Sequence, residues 1–307
     1  MNREVVKEKI GYWFYHVLLW PISLLPMPIL YLISDFLFLV VGGIGYRRKV
    51  ITNNLNRAFP DKKPKEIRKI RILFYRHFCD LFVETIALQN ISLHAMKKRV
   101  KVINPEVIQK SIDEGRDVVA VLGHYCNWEW VPTASLYLQN AQGVSVYRPL
   151  KDEAFDKFML KIRGKFNSLN VPMKNIVRQI VKFKKDNQRF ILGLISDQSP
   201  SSFDLNYWTD FLSQNTPIIM GPEKMSKLAK ADLVYWKMGK IKRGYYQITF
   251  VPYPGNVLTD KEFSATEWHV RQLEAQIKDK PQYWLWSHKR WKYQHHFDPE
   301  TMQQKEL

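Results

Sequence analysis

The sequence predicts an α/β fold, a mostly parallel central sheet flanked by helices, led by an N-terminal hydrophobic segment that attaches to a membrane as a helix or hairpin. Three observations carry this reading. Beyond about residue 117, short apolar runs alternate with helical stretches, the pattern of strands buried on both faces. Between Gly11 and Tyr46 the chain is almost uncharged. Between the two lies a basic stretch whose apolar residues recur every three or four positions.

With 307 residues the chain has ample length for a core, and 46% apolar residues exclude general disorder. The 47 basic against 29 acidic residues give +18, a field that draws in nucleic acid, anionic lipid or an acidic protein without choosing among them. The two cysteines, Cys79 and Cys126, are too few for a disulfide framework and lack the spacing of a zinc site. They indicate a reduced, cytosol-facing body.

Residues 1–46 form the anchor segment. Between Gly11 and Tyr46 the only formally charged residue is Asp35, and Pro21, Pro26 and Pro28 divide the segment in two. The second part, "ILYLISDFLFLVVGGIGY", approaches the roughly 20 residues that cross a bilayer, although Asp35 is costly at its centre. Basic flanks lie on both sides: Arg3, Lys7 and Lys9, then Arg47, Arg48 and Lys49. If both stay on one side of the membrane, the segment is a hairpin or an interfacial helix; if only the second set counts, it is a single span. A buried hairpin in a soluble bundle is the alternative.

Residues 47–307 form the main domain. Its lead-in, 47–101, is helical, with Ile67, Ile70, Phe74, Phe78, Leu81 and Phe82 at helical spacing and basic residues suited to headgroups, each worth roughly 1 kcal/mol against anionic lipid. The core, 117–292, carries strands at 117–123, 143–147, 189–196, 232–238 and 245–253, and helices at 152–166, 175–186 and 222–231. In such sheets chemistry collects at the carboxyl ends of the strands. Those ends present Gly123-His124, Arg148-Pro149 and Asp197-Gln198: a base, a cation, and an acid with an amide.

His124 and Glu129 invite a pairing. Five apart on one helix they would sit about 140° from each other, so they meet only if the chain turns between them. Gly123, Asn127 as a helix cap and Pro132 permit that turn. A carboxylate beside imidazole fixes its tautomer, and such a pair without a nucleophilic serine suits general-base attack by a substrate hydroxyl. The alternative is a structural histidine at a strand end. A Cys126–His124 nucleophile and a serine hydrolase built on Ser196 or Ser199 are the weaker readings, the latter lacking a Gly-x-Ser-x-Gly elbow. The tail "YWLWSHKRWK" interleaves aromatics with cations, which suits base stacking, but beside a hydrophobic segment it reads as an interfacial belt or a lid.

"GHYCNWEW" resembles the histidine-x4-acid motif of the glycerolipid acyltransferase superfamily. The ordered set "RRKVITNNLNRAFP", "GHYCNWEW", "YRP", "RG" at 163–164, "SDQSP" and "PQYWLWSHKRWK" resembles one branch of it, the lipid A biosynthesis (lauroyl/myristoyl) acyltransferases, over residues 10–292. Departures are Tyr125 and Cys126, where smaller residues are expected and where they would crowd the base, and the stretch "DFLSQNTP", where an apolar-glycine pair is expected and Phe211 lacks the glycine. The resemblance implies a glycerol-3-phosphate acyltransferase-like fold. It also implies a bacterial inner-membrane enzyme facing the cytoplasm that moves an acyl chain from an acyl thioester to a hydroxyl of a lipid A precursor, without an acyl-enzyme. By the same resemblance His124 is the base and Glu129 its orienting acid. Arg148 and Arg163 are candidates for the oxyanion or a phosphate, with Asp197 and Gln198 completing the crevice. No cofactor or metal is expected; acyl carrier protein or coenzyme A is the co-substrate. The expected partners are the bilayer, the lipid acceptor and the carrier protein, not nucleic acid. The competing readings are an acyltransferase for a phosphoglycolipid or aminolipid, and a non-enzymatic anchored binder of anionic lipid or nucleic acid.

Overall fold

A computed structural model describes residue 11, residues 13–298 and residues 303–304. Seven strands make the central sheet: β1 (Val100–Val102), β2 (Val118–Leu122), β3 (Gln142–Tyr147), β4 (Ser168–Pro172), β5 (Phe190–Ile195) and, after a separate two-stranded ladder of β6 (Trp208–Asp210) and β7 (Asn215–Pro217), β8 (Asp232–Lys242) and β9 (Tyr245–Pro252). Their order is β1-β9-β8-β2-β5-β3-β4, and every pairing is parallel except the β8–β9 hairpin. The central strand β2, "VVAVL", is buried at every position, which is why its apolar run does not alternate.

All five expected strands form within a few residues of their expected limits, as do the helices Glu153–Arg163, Ile176–Lys185 and Gly221–Ala229. The edge strands β1 and β4 are additions, since "VKV" and "SLNVP" carry no apolar run. Helix Ser264–Asp279 is another: polar overall, it buries Val270, Leu273 and Ile277 behind the sheet.

The prolines divide the N-terminal segment as expected, with a short helical piece ending at Ser23 and a helix at Met27–Ile44. That helix is long and apolar enough to cross a membrane. One face is exposed, through Leu32, Phe36, Leu39 and Ile44. The other lies antiparallel along helix Pro64–Ala87: Tyr31 donates to Glu84 (2.8 Å), Ser34 donates to Asp80 (2.8 Å), Arg76 covers the Phe38 ring, and Tyr75 donates to the Tyr46 carbonyl (2.7 Å). Asp35, costly in isolation, pairs with Arg243 at 2.8 Å, and Arg243 also holds Asp80 at 2.7 Å.

Glu84 is wholly buried and joins three parts of the chain. It accepts from Tyr31 of the apolar helix, from Asn127 beyond β2 (2.6 Å) and from Tyr246 of β9 (2.8 Å). Burial raises its carboxyl above the ordinary range. Glu84→Ala strands three donors, two of them buried, and is expected to lower stability by roughly 3–5 kcal/mol, measured by chemical denaturation.

Candidate active site

The register of β2 against β5 builds the site. Leu122 pairs with Ile195, and the Ser196 amide donates to the Leu122 carbonyl at 3.2 Å. His124 and Asp197 each lie two residues past that pair, so parallel pairing sets them side by side. The His124 amide donates to Asp197 Oδ2 at 2.8 Å, and His124 Nδ1 lies 2.6 Å from Asp197 Oδ1. Trp284 Nε1 donates to Oδ2 as well, at 2.7 Å. Burial alone would raise the Asp197 carboxyl, but the His124 charge and these hydrogen bonds outweigh it and hold the group below its ordinary value. An ionised carboxylate only accepts, so Nδ1 carries a proton, and in the neutral imidazole it is Nε2 that holds the lone pair. Nε2 has Gln198 Nε2 at 3.4 Å, and the imidazole remains 18% exposed.

Gly123 makes the close approach possible. A Cβ there would stand 2.7 Å from a Leu273 methyl and 3.2 Å from Asp197 Oδ2. Gly123→Ala is expected to displace the carboxylate and lower turnover about 10²-fold with the protein still folded, as kcat beside a melting curve would read.

The expected contact between His124 and Glu129 does not form: among the described residues no hydrogen bond joins them. Asn127 does cap the next segment, the 3₁₀ helix Trp128–Tyr137, but Glu129 enters its first turn facing Arg163. Arg163 grips it with two bonds, Nε at 2.7 Å and Nη2 at 2.6 Å, and the carboxylate outweighs the cost of burial to raise the guanidinium value. Trp128 stands between, edge-on to His124 with ring centroids 5.1 Å apart and donating to Glu129 at 3.1 Å. The acid that holds the histidine is thus Asp197, and Arg163 is engaged by Glu129. Arg148 lies exposed just past β3.

Tyr125 and Cys126 do not crowd the base. Tyr125 donates to the Gln276 and Lys280 carbonyls, at 3.1 and 3.0 Å, at the end of helix Ser264–Asp279. Cys126 is fully buried and burial pushes its thiol up, the environment of a structural thiol rather than of an activated nucleophile. The aromatic tail also departs from a belt or lid, because Trp284, Trp286 and Arg290 are buried. Leu285 donates to the His124 carbonyl at 3.2 Å, and the Cys126 amide donates to the Tyr283 carbonyl at 3.0 Å, so the tail fixes the loop that carries the base. Trp284 and Leu273 are the site residues that the sequence reading missed; the alternation of tryptophans from Trp284 to Trp286 was the available signal.

Residues 3–293 match the family of bacterial lipid A biosynthesis acyltransferases. The chain belongs to that family. It is 22% identical to the lipid A biosynthesis lauroyltransferase of Escherichia coli (strain K12) over 277 residues, 89% of each chain. As a member, this acyltransferase catalyses acyl-group transfer.

Proposed function

We propose that this acyltransferase transfers a fatty acyl chain from an acyl thioester to a hydroxyl of a lipid A precursor at the bacterial inner membrane, with its α/β domain on the cytoplasmic side. The observation that carries the reading is the His124–Asp197 pair at adjacent strand ends. Nε2 of His124 takes the hydroxyl proton as the acceptor oxygen attacks the thioester carbonyl. Asp197 stabilises the imidazolium. Collapse of the tetrahedral intermediate breaks the carbon–sulfur bond, and the departing thiolate takes the proton back, so no acyl-enzyme forms. Glu129 and Arg163 act as a rigid wall that sets Trp128 against the base, so Glu129 acts on it through that ring and not by direct contact. Arg148, exposed at the rim, suits a phosphate of the acceptor. Gln198 steadies Nε2. The +18 charge suits an anionic donor, and acidic acyl carrier protein and the phosphates of coenzyme A both meet that requirement.

Residues 1–46 serve as the anchor and 47–307 as the acyltransferase domain. Because helix Met27–Ile44 is bonded to the body along its length, we assign it an interfacial seat, its Leu32–Phe36–Leu39 face in the bilayer. A cysteine placed at Trp13 and one at Ile44 should both react with an impermeant thiol reagent from the cytoplasmic side only. Reaction of the two from opposite sides would establish a crossing.

Mass spectrometry of lipid A and total lipids from a deletion strain tests the function. One lipid A species lighter by a single acyl chain is expected. A normal lipid A profile with another lipid altered would redirect the acceptor.

A further inference from the structure

A cavity of about 300 Å³ opens where helix Leu93–Arg99 runs into β1 beside the β8–β9 turn. Register explains its composition: Val100 pairs with Tyr246, which brings Lys98, Arg99 and Lys101 against Lys242 and Tyr245. No carboxylate lines it. Arg99 and Lys242 lie over the Tyr245 ring, at 5.0 and 4.4 Å from its centroid, and Arg99 donates to the Gly244 carbonyl. Among the described residues neither Lys98, Lys101 nor Lys242 enters an ion pair. Four cations converging on a concavity without a counter-charge leave an anion-shaped deficit.

The surroundings say where the anion comes from. The β8–β9 turn abuts the apolar helix: a Cβ at Gly244 would stand 2.0 Å from the Tyr31 hydroxyl, and the neighbouring Arg243 pairs with Asp35. Ile241, beside the cations, is exposed, as is Leu93 at the start of the short helix. Since β8 runs parallel to β2, Lys242 lies at the same edge of the sheet as His124. The cations therefore sit at the foot of the helix that we assign to the bilayer surface, on the edge that carries the crevice.

We propose that this cavity binds the phosphate of an anionic phospholipid headgroup and sets the height and tilt of the crevice over the membrane. The proposal rests on the membrane-lipid reading above but uses none of its catalytic residues. The test is amine footprinting of the full-length chain reconstituted in phosphatidylcholine vesicles, with and without phosphatidylglycerol. Phosphatidylglycerol should slow acetylation of Lys98, Lys101 and Lys242 by about fivefold each, the factor that corresponds to roughly 1 kcal/mol per cation. Lys182 and Lys185, exposed on helix Ile176–Lys185, should be unaffected. Lys101→Gln, at an exposed position, should weaken protection of its two neighbours. Equal slowing at Lys182 and Lys185 would reduce the effect to net charge and overturn the site. So would no protection, equal protection by inorganic phosphate in phosphatidylcholine alone, or protection by acyl carrier protein instead of phosphatidylglycerol. His124→Ala should give the wild-type footprint while losing acyl transfer, so failure of the site and failure of the catalytic reading appear separately.

Discussion

Asp197→Ala is expected to lower acyl transfer on the order of 10³–10⁴-fold, with KM for the acyl donor little changed. Three donors converge on this carboxylate: the His124 amide, its Nδ1–H and the Trp284 indole. Without it the imidazole loses its fixed tautomer, and the imidazolium formed during proton transfer loses its counter-charge. Where a carboxylate orients a catalytic histidine in other enzymes, its removal costs about 10⁴ in kcat. Asp197→Asn keeps the shape but offers an amide in place of the full charge, and is expected to lose nearly as much activity. It also isolates a pH effect. The folded carboxyl lies below its ordinary value, so its stabilising contribution is complete above the unfolded value and disappears as pH falls through the lower folded value. Denaturation midpoints of the wild type should therefore drop on acidification below the ordinary carboxylate range, and those of Asp197→Asn should drop less.

The second large effect belongs to Arg163. Arg163→Ala leaves Glu129, 10% exposed, without its two charge-assisted bonds and, among the described residues, with the Trp128 indole as its one remaining donor. Because the Arg163 side chain is 24% exposed, water relieves part of the penalty, and the expected loss of stability is about 1–3 kcal/mol rather than the 3–5 of a fully buried pair. Activity should fall further than stability, about 10²-fold, because Trp128 packs on the base and shifts with the carboxylate. Arg163→Lys restores the charge without the fork and should recover only part. Measured kcat at a temperature where each variant is fully folded separates the two effects. Wild-type kcat in Arg163→Ala would remove the Glu129–Arg163 pair from the active site.

The sheet was legible because β2 and β5 are apolar throughout and β8 opens on a buried apolar run, Leu233 to Trp236, and buried parallel strands have no polar face to obscure the pattern. The strand-end residues followed from the same logic, and His124, Asp197 and Gln198 do come together. The partner of the histidine was misread because spacing along the chain identifies Glu129, whereas register between β2 and β5 identifies Asp197, and pairing order is absent from a linear pattern. Glu129 instead answers to Arg163, which strand β3 and the helix after it bring from 34 residues away. The tail was misread for a related reason. Aromatic and basic residues together look interfacial, yet Trp284 and Trp286 find buried acceptors in Asp197 and the Pro281 carbonyl, and Arg290 finds one in the Pro217 carbonyl. Composition names the groups; only the fold supplies their partners.

The central claim is that His124, held by Asp197, is the general base of acyl transfer to a lipid hydroxyl. Its most direct test is the lipid A mass spectrum of a deletion strain carrying His124→Ala as its sole copy, with protein level verified in the membrane fraction. The account predicts lipid A lighter by one acyl chain, as in the deletion itself, and at least about 10²–10⁴-fold slower transfer by the purified variant. A wild-type lipid A spectrum from cells that contain the variant would contradict it.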